Sequence, residues 1–465
     1  FEYGYGLTPE IVAVAAQQSP DLIITVDNGI SSLDGVAAAR ALGIQVLITD
    51  HHLPGVRLPE ADAIVNPNLP DDVFPSKHLA GVGVIFYVLA ALRARLREES
   101  WFTRMGTAEP NLAQFLDLVA LGTVADVVPL DHNNRILVDQ GLQRIRAGQC
   151  CAGVLALLEV AGRRRENLVA ADLGYAVAPR LNAAGRLQDM SLGIECLLCD
   201  DPQAARTMAR RLDELNRDRR EIETEMQDQA LAALAALDLD PERLPVGLCL
   251  FDERWHQGVI GILAARIKER LHRPVIAFAP AGTDEIKGSA RSVSGLHIRD
   301  ALDAVAAGNP GLITRFGGHA MAAGLSLTRE RLPAFSDAFD REVRRHLSGD
   351  DLRGVIHSDG ELTETELSLE LAELLRAAGP WGQGFPEPVF DGVFEVVNRR
   401  VVGERHLKLQ LRSSRASSCI DAIAFNAAEP APAEGERVCI AYRLDVNDYR
   451  GLRSLQLIVE HLEPA

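Results

Sequence analysis

The sequence predicts a mixed α/β protein of about three domains that ends in a small β-barrel. Its 465 residues are too many for a single hydrophobic core. Up to about residue 130, apolar strands alternate with amphipathic helices, a pattern typical of a mostly parallel sheet with helices on both faces. Near the C-terminal end, several short alternating runs separated by turns indicate a barrel of the OB type.

The composition is that of a globular chain, with 47% hydrophobic and 24% charged residues. No apolar run reaches the roughly 18 residues of a membrane span, and no leader pattern opens the sequence, so we expect a cytosolic protein with no membrane partner. The net charge of −17 disfavours a polyanionic ligand for the chain as a whole, although a local cationic surface can still bind one.

The first two strands of the chain both end in polar side chains. Leu22–Val26 leads into Asp27, and Val46–Thr49 is followed by three consecutive side chains that can bind metals, namely Asp50, His51 and His52. Because open α/β sheets place ligands at the carboxyl ends of their strands, we expect these groups to lie at one edge. Taken alone, histidines after a strand are more often solvated or cap a helix.

Asp126 is a third carboxylate in a conspicuous place, since it follows a strongly apolar run beginning near Gly122. A carboxylate buried there would be costly unless it were paired or bound to a metal. Mixed aspartate and histidine ligands suit Mn²⁺ or Mg²⁺ better than ions that prefer thiolates.

Seven short motifs are spread along the chain: V-D-N-G at 26–29, T-D-H-H-L-P at 49–54, G-T-V-A-D-V-V-P-L at 122–130, P-R-L-N-A-A-G-R at 179–186, W-H-Q-G-V-I-G at 255–261, K-G-S-A-R-S at 287–292 and R-F-G-G-H-A-M-A-A-G at 315–324. In this order they resemble the motifs of the DHH phosphoesterase family, and within it the bacterial exonucleases that degrade single-stranded DNA from the 5′ end. The resemblance covers nearly the whole chain.

The resemblance implies a two-metal phosphodiesterase centre that uses Mn²⁺ or Mg²⁺. Asp27 would bridge the ions, and His51 and Asp126 would complete one of the two sites. Asp50 would orient His51 or bind a metal itself, and His52 would lie against the scissile phosphate or its leaving group. The family also carries an upstream D-x-D-type motif that has no copy here, so we expect a missing N-terminal segment and an incomplete metal pair.

The middle of the first domain is predicted to be largely helical. A long helix begins at Gly81, and its G-x-G favours helix packing over a nucleotide loop because the third glycine is absent. The run at 163–165, three arginines, is typical of a solvated face. At 179–186 we expect a loop of small residues, in which the resemblance assigns Arg180, Asn182 and Arg186 to the substrate path; a helix-start ion pair is the alternative.

A single long helix is predicted from Asp201 to about Leu237, because this segment is rich in Ala, Arg, Glu and Leu and has its only proline at the entrance. Such a helix would connect two domains. The nearby Cys196 and Cys199 lie on a predicted helix with no second pair at zinc spacing, so we interpret them as core residues.

A second α/β domain is predicted from about Pro245 to His346. Ser289 and Arg291 alternate on one strand and therefore share a face, which is suited to holding a phosphate. Further on, Gly317 and Gly318 would let backbone amides approach a ligand beside His319. The histidine could equally be structural on spacing alone; resemblance to the DHHA1 domain, the substrate-binding partner of DHH domains, favours binding.

The C-terminal segment begins with a helix predicted at Glu366–Ala378. The strands expected after it are Val389–Val396, Arg399–Val402, Leu407–Leu411, Cys419–Phe425, Arg437–Leu444 and Ser454–Ile458. OB barrels bind single strands through stacking and basic grooves, and this end is suitably cationic. By resemblance, Gln383 and Phe385 at the barrel entrance are candidate DNA contacts.

The chain is thus predicted to contain four segments: a DHH catalytic domain at 1–200 with its N-terminal part missing, a connecting helix at 201–240, a DHHA1 substrate-binding domain at 241–350 and an OB-like domain at 354–465. The expected substrate is single-stranded DNA, with a helicase and a single-strand-binding protein as possible partners of a monomer. The alternatives are a hydrolase of oligonucleotides or cyclic dinucleotides, and a non-catalytic scaffold that binds single strands.

Overall fold

The computed structural model describes residues 6–236, 244–403, 405–413, 419–425, 427, 431–449 and 451–465. The chain divides into two compact units. Unit 1 comprises Phe1–Pro179, Ile194–Ala209 and Ile356–Ala465, and unit 2 comprises Arg180–Gly193 and Arg210–Val355. None of the described helices is both long enough and apolar enough to cross a membrane.

Unit 1 opens with a parallel sheet in the order β1-β2-β3, formed by Leu22–Val26, Gln45–Thr49 and Ala63–Val65. The first two strands confirm the sequence prediction, whereas the three-residue β3 was not predicted. Helices α1 (Pro9–Ala16) and α2 (Leu33–Ala41) supply apolar side chains to the core that buries Val46 and Ile48. This packing fixes the register of β2 and therefore the position of the residues that follow it.

Alternate side chains of β1 are exposed: Leu22, Ile24 and Val26 are 43%, 50% and 43% accessible. Parallel sheets are normally covered on both faces, and the sequence pattern predicts such cover. In the described part of unit 1, β1 instead presents an apolar face to solvent.

A helical region follows the sheet. Its helices are α3 (Gly81–Glu98), α4 (Trp101–Met105), α5 (Leu116–Ala125), α6 (His132–Arg146), α7 (Ala152–Val160) and α8 (Ala170–Asp172). Helices α5 and α6 pack closely because Gly141 has no side chain; a Cβ there would overlap the backbone of Leu116. The helical interpretation of this region, including the helix that begins at Gly81, is confirmed.

The predicted loop at 179–186 is wrong, because these residues belong to helix α9 (Ala178–Leu187). A π-helical turn, Leu173–Val177, precedes it directly. Pro179 is the second residue of α9 and follows the π turn directly, so the proline, which has no backbone N–H, lies where the helix is already irregular. Two alanines and a leucine inside the segment favour the helix once it has begun. Helix α10 (Ser191–Leu198) follows and buries Cys196.

Helix α11 (Pro202–Ala236) is one continuous helix of 35 residues, as the sequence predicts. Its length is about 52 Å at 1.5 Å per residue. The predicted end near Leu237 lies outside the described residues.

Unit 2 contains a five-stranded sheet in the order β4-β5-β6-β8-β7. The strands are β4 (Leu248–Phe251), β5 (Val275–Pro280), β6 (Glu285–Arg291), β7 (Arg315–Gly318) and β8 (Ala322–Thr328), and the helices are α12 (Ile260–Leu271), α13 (Ile298–Gly308) and α14 (Leu332–His346). Only β4 and β5 pair in parallel. Gly317 and Gly318, which were expected to let backbone amides approach a ligand, lie in the β7–β8 hairpin.

The C-terminal part of unit 1 is a closed barrel in the order β10-β11-β13-β12-β9, preceded by helix α15 (Leu369–Ala378). Its strands are β9 (Phe390–Val402), β10 (His406–Ser413), β11 (Cys419–Ala424), β12 (Arg437–Tyr449) and β13 (Leu452–Pro464). The predicted barrel is confirmed, except that the two runs expected within 389–402 are one long strand. That strand has a bulge opposite Gln410 and Leu411, which explains the break in its alternation.

Candidate metal centre

Asp27 occupies the position immediately after β1 and has a left-handed backbone, with φ of 66°. Its N–H donates to the carbonyl of Thr49 at 2.9 Å, which ties the ends of β1 and β2 together. Aspartate tolerates this conformation better than most residues. The turn carries the carboxylate toward the residues that follow β2.

The His51 ring lies between two carboxylates. Its Nε2 is 3.0 Å from Oδ1 of Asp27 and 3.4 Å from Oδ2 of Asp126. Burial alone would lower the pKa of His51, but the hydrogen bond to Asp27 and the charge of Asp126 outweigh burial and raise the pKa. For Asp126, burial and then the nearby Asp27 raise the pKa above its usual range, against the opposing charge of His51. Concentrated negative charge of this kind favours a bound cation.

Asp50 is fully buried and holds His52. Its Oδ1 is 2.7 Å from Nδ1 of His52 and also accepts the backbone N–H groups of His51 and His52, while Oδ2 accepts the N–H of Ile30 at 3.0 Å. Burial favours the neutral acid, but these hydrogen bonds prevail and lower the pKa of Asp50. As a carboxylate it accepts from Nδ1, which leaves Nε2 as the acceptor nitrogen of the His52 ring. Asp50 therefore orients the ring of His52 and not, as the sequence suggested, that of His51.

Asp126 lies at the C-terminal cap of α5, where the chain leaves the helix through Val127, which has φ of 59°. A left-handed conformation is unusual for a β-branched residue and costs on the order of 1–3 kcal/mol. The strain is concentrated beside a candidate ligand.

The donor set fits a hard divalent cation. Ligand atoms of Asp27, His51 and His52 all lie within 4.8 Å of one another, and Asp126 lies beside His51. Carboxylate and imidazole donors without a thiolate match Mn²⁺ or Mg²⁺. The grouping contains His52, which the sequence motifs had placed against the phosphate and not among the ligands.

Gly81 is a position beside Asp27 that the sequence pattern did not single out. A Cβ on this first residue of α3 would lie 2.6 Å from Cγ of Asp27. The absent side chain gives the Asp27 carboxylate its space. The G-x-G motif was the available signal, and it was interpreted as helix packing in general.

A second polar cluster lies within unit 2. Nη1 of Arg291 donates to Oγ of Ser289 at 3.0 Å, and Nη1 of Arg186 donates to the carbonyl of Gly258 at 3.2 Å. Burial, and then the positive charge of Arg186, lower the pKa of Arg291. Two neighbouring guanidinium groups of this kind are suited to an anion. Gly261, another position not identified from the sequence, keeps space beside them, because a Cβ there would lie 3.0 Å from Oγ of Ser289.

Arg180 has a different environment from Arg186. Its side chain is 10% exposed, and Nη2 lies 2.8 Å from Oδ1 of Asp213. Arg217 pairs with the same carboxylate from a solvent-exposed position. Asn182 is exposed on the same helix as Arg180. The contacts of Arg180 favour the ion-pair alternative, whereas its assignment to substrate stays a prediction.

We expect Arg180→Met to lower the free energy of unfolding by about 3 kcal/mol, because it leaves a buried carboxylate without its best partner. Arg217→Met removes an exposed partner of the same carboxylate and should cost less than about 1 kcal/mol. Urea unfolding of both variants measures the difference. Equal stabilities together with weaker DNA binding by Arg180→Met would instead support the substrate role.

The remaining predicted residues lie in two separate segments, one in each unit. In unit 2, Gly317 and Gly318 are in β7, and the N–H of His319 donates to the carbonyl of Ala322 at 2.8 Å. Gly318 has φ of 145°, which requires glycine there. The imidazole of His319 is on an exposed residue, which is compatible with a ligand-binding role.

In unit 1, the loop that carries Gln383 and Phe385 contacts the segment just after Asp126. The N–H of Leu130 donates to the carbonyl of Gln383 at 2.6 Å, and the Arg135 guanidinium lies 3.7 Å from the Phe385 ring centroid. Phe385 also stacks on Trp381. Phe385 thus holds the barrel entrance against the loop after Asp126, while the side chain of Gln383 is exposed.

Comparison with known proteins shows which family the chain belongs to. Residues 4–123 match the DHH family N-terminal domain, residues 244–345 the DHHA1 domain and residues 358–461 the RecJ OB domain. A single-stranded-DNA-specific exonuclease RecJ from Dickeya dadantii is 58% identical over 100% of this chain and 81% of its own length. The chain belongs to the RecJ family.

Other RecJ proteins support this family membership. The RecJ of Escherichia coli is 56% identical over 100% of this chain and 81% of its own. A crystal structure of RecJ from Thermus thermophilus in complex with Mn²⁺ superimposes with a TM-score of 0.79 at 31% identity, covering 98% of this chain and 64% of that one. A second structure of that RecJ contains Mg²⁺ and gives a TM-score of 0.72 at 28% identity over 98% of this chain and 69% of that one. The family and the three-part fold predicted from the sequence are confirmed.

Proposed function

We propose that this chain is a divalent-metal-dependent exonuclease that hydrolyses the phosphodiester bonds of single-stranded DNA in the 5′→3′ direction. The observation that carries this proposal is the convergence of Asp27, His51 and Asp126 at the ends of β1, β2 and α5. It is supported by membership of a family whose curated relatives are named single-stranded-DNA-specific exonucleases. The relatives' crystal structures with Mn²⁺ and Mg²⁺ support the metal requirement.

Asp27, His51 and Asp126 would hold the metal, with a ring nitrogen of His52 close enough to add a ligand. When bound, a divalent cation lowers the pKa of a coordinated water and neutralises charge on the phosphate. Asp50 contributes by fixing the His52 ring, since the bond to Nδ1 leaves Nε2 to accept. His52 Nε2 would then bind the metal or face the scissile phosphate and its leaving group.

Arg291, Ser289 and Arg186 would receive the phosphate at the 5′ end of the strand. Their guanidinium and hydroxyl groups are partly buried, which strengthens each hydrogen bond to an anion. Gly261 leaves room for the side chains of Arg291 and Ser289, since a Cβ there would lie 2.8 Å from Nη2 of Arg291. The barrel would bind nucleotides farther along the strand.

Arg291→Gln should reduce the affinity for a 5′-phosphorylated oligonucleotide by about tenfold to a hundredfold, because a charge-assisted hydrogen bond contributes about 1.5–3 kcal/mol. The affinity for the same strand with a 5′-hydroxyl should change little. Competition binding in EDTA measures both. Arg315→Gln, which replaces an exposed arginine of β7, is the matched control. A uniform loss on both strands would contradict the assignment of Arg291 to the terminal phosphate.

The proposed activity is tested by incubating the chain with 5′-labelled single-stranded and duplex DNA in Mn²⁺. A longer form, extended to the length of the relatives, is assayed beside it. The extension is included because β1 has an exposed apolar face that an additional segment could cover. Release of mononucleotides from single strands alone supports the exonuclease. Binding of single strands without cleavage by either form would support the scaffold alternative.

Cleavage restricted to very short oligonucleotides or cyclic dinucleotides would support the other hydrolase alternative. The barrel argues against it, because an additional single-strand-binding surface serves a polymer substrate. A cytosolic location, a monomeric state, and a helicase and single-strand-binding protein as partners stay predictions. Size-exclusion chromatography with light scattering tests the monomer.

A further inference from the structure

A cavity of about 340 Å³ lies within unit 1, between the helical region and the barrel. Its walls include Arg146 of α6, Arg376 of α15, and the aromatic residues Trp381 and Phe425. None of the residues that line it belongs to the metal centre. A volume of this order is in the range of small-molecule sites.

Two guanidinium groups at one end of the cavity are held by neutral acceptors. Arg146 donates through Nε and Nη2 to the carbonyl of Leu168 at 2.9 and 2.7 Å, and Arg376 donates through Nη2 to the carbonyl of Asn167 at 3.0 Å. Among the described residues, neither arginine forms an ion pair with a carboxylate. Burial lowers the pKa of Arg146, and the charge of Arg376 lowers it further, against the opposing charge of Asp139. This end of the cavity therefore carries positive charge that no direct ion pair neutralises.

Most of the acidic residues that line the cavity are already bonded to other residues, and two of their partners, Arg443 and Arg163, also line the cavity. Glu387 pairs with Arg443 at 2.8 Å, and Asp172 lies 3.3 Å from Arg163. Asp139 accepts from Gln143. Asp445 remains on the barrel side and disfavours an anion there. The charge distribution thus directs an anion to Arg146 and Arg376.

Trp381, which forms part of the aromatic wall, is held in place by two contacts. Nε1 of Trp381 donates to the carbonyl of Leu375 at 2.8 Å, and one face of the indole stacks on Phe385 with a centroid distance of 4.9 Å. Phe425 is 54% exposed although it is aromatic. An aromatic wall next to two neighbouring guanidinium groups suits a ligand that has both a flat ring and a phosphate.

We propose that this cavity is a second nucleotide-binding site, in which Arg146 and Arg376 receive a phosphate group and the aromatic wall contacts the base or sugar. The phosphate belongs either to a free nucleoside monophosphate or to a phosphodiester within a single strand. The site goes beyond the hydrolytic function, since it adds nucleotide binding away from the metal ligands.

The test is isothermal titration of the chain with thymidine 5′-monophosphate, and separately with a 5′-hydroxyl oligothymidylate, in EDTA. EDTA prevents cleavage, and an Arg291→Gln background weakens the phosphate cluster of unit 2. Arg376→Gln is the deciding variant, because Arg376 makes one hydrogen bond to the chain whereas Arg146 makes two. Arg95→Gln is the control, since Arg95 is an exposed arginine on α3.

We expect Arg376→Gln to weaken binding by about tenfold or more, as the loss of a charge-assisted hydrogen bond implies. A loss confined to the mononucleotide identifies a free nucleotide as the ligand, and a loss confined to the oligonucleotide identifies a phosphodiester. Unchanged affinity for both ligands in Arg376→Gln and Arg146→Gln, with native circular dichroism, would overturn the proposal. Arg376→Lys should recover part of the affinity, because it keeps the charge but not the guanidinium fork.

Discussion

Replacing His51 with alanine should reduce the hydrolysis of single-stranded DNA by more than about a hundredfold. The imidazole is the group that contacts both Asp27 and Asp126, at 3.0 and 3.4 Å. Without it, two carboxylates remain close together and His52 is the histidine left in the ligand group, so the affinity for Mn²⁺ should fall as well. The loss of hydrolysis is measured from initial rates on a 5′-labelled oligonucleotide, in a form of the protein that is active before the substitution.

The loss of Mn²⁺ affinity in His51→Ala can be measured without relying on activity, from the increase in melting temperature that Mn²⁺ produces. A ligand that binds the folded state raises the melting temperature by an amount that grows with the logarithm of its concentration relative to its dissociation constant. The shift seen with the unsubstituted protein should therefore largely disappear once Mn²⁺ no longer binds. His357→Ala, which removes an exposed histidine, should leave both the rate and the shift unchanged. If His51→Ala retained more than about a tenth of the rate, His51 would not be a metal ligand.

The substitution Gly81→Ala should also impair the metal centre strongly, although Gly81 has no functional group. The new Cβ would lie 2.6 Å from both Cγ and Oδ1 of Asp27, and this carboxylate sits on a constrained turn. Either Asp27 or the start of α3 must move. We expect a loss of about 1–3 kcal/mol in stability from the overlap and a roughly tenfold to hundredfold loss in metal affinity or activity.

Gly83→Ala is the matched control for Gly81→Ala. It lies on the same helix, but its Cβ would meet only side-chain atoms of Leu79, of which the nearest is Cδ2 at 3.0 Å, and none of Asp27. Both variants change helix propensity equally, so propensity cannot account for a difference between them. Equal Mn²⁺ affinities in the two variants would show that Gly81 does not position Asp27.

The convergence of the candidate metal ligands could be predicted from the sequence because it depends on local order along the chain. The carboxyl ends of neighbouring parallel strands meet at one edge, so Asp27 and His51 had to come close once β1 and β2 paired. Alternating apolar residues likewise located the barrel. These features depend on periodicity and on strand direction, which a single sequence carries.

The features that were missed depend on contacts between distant segments. The partner of Arg180 is Asp213, 33 residues away on another helix, and nothing near position 180 indicates it. Helix α9 was taken for a loop because proline and glycine usually end helices, whereas here the π turn at Leu173–Val177 precedes Pro179. The role of Gly81 arises only when α3 packs against the turn at Asp27. Such pairings are set by tertiary packing and not by local propensity.

The bond between Leu130 and Gln383 affects how the protein can be divided. The barrel belongs to the same compact unit as the first 179 residues, although the five-stranded sheet of unit 2 lies between them in sequence. Asn167 and Arg376 add further polar contacts on the same side of the barrel. A chain shortened before residue 356 would therefore not simply lose an appended module. It would remove the support from the loop after Asp126, so the two halves of unit 1 should melt in one cooperative transition and the truncated protein should be the less heat-resistant.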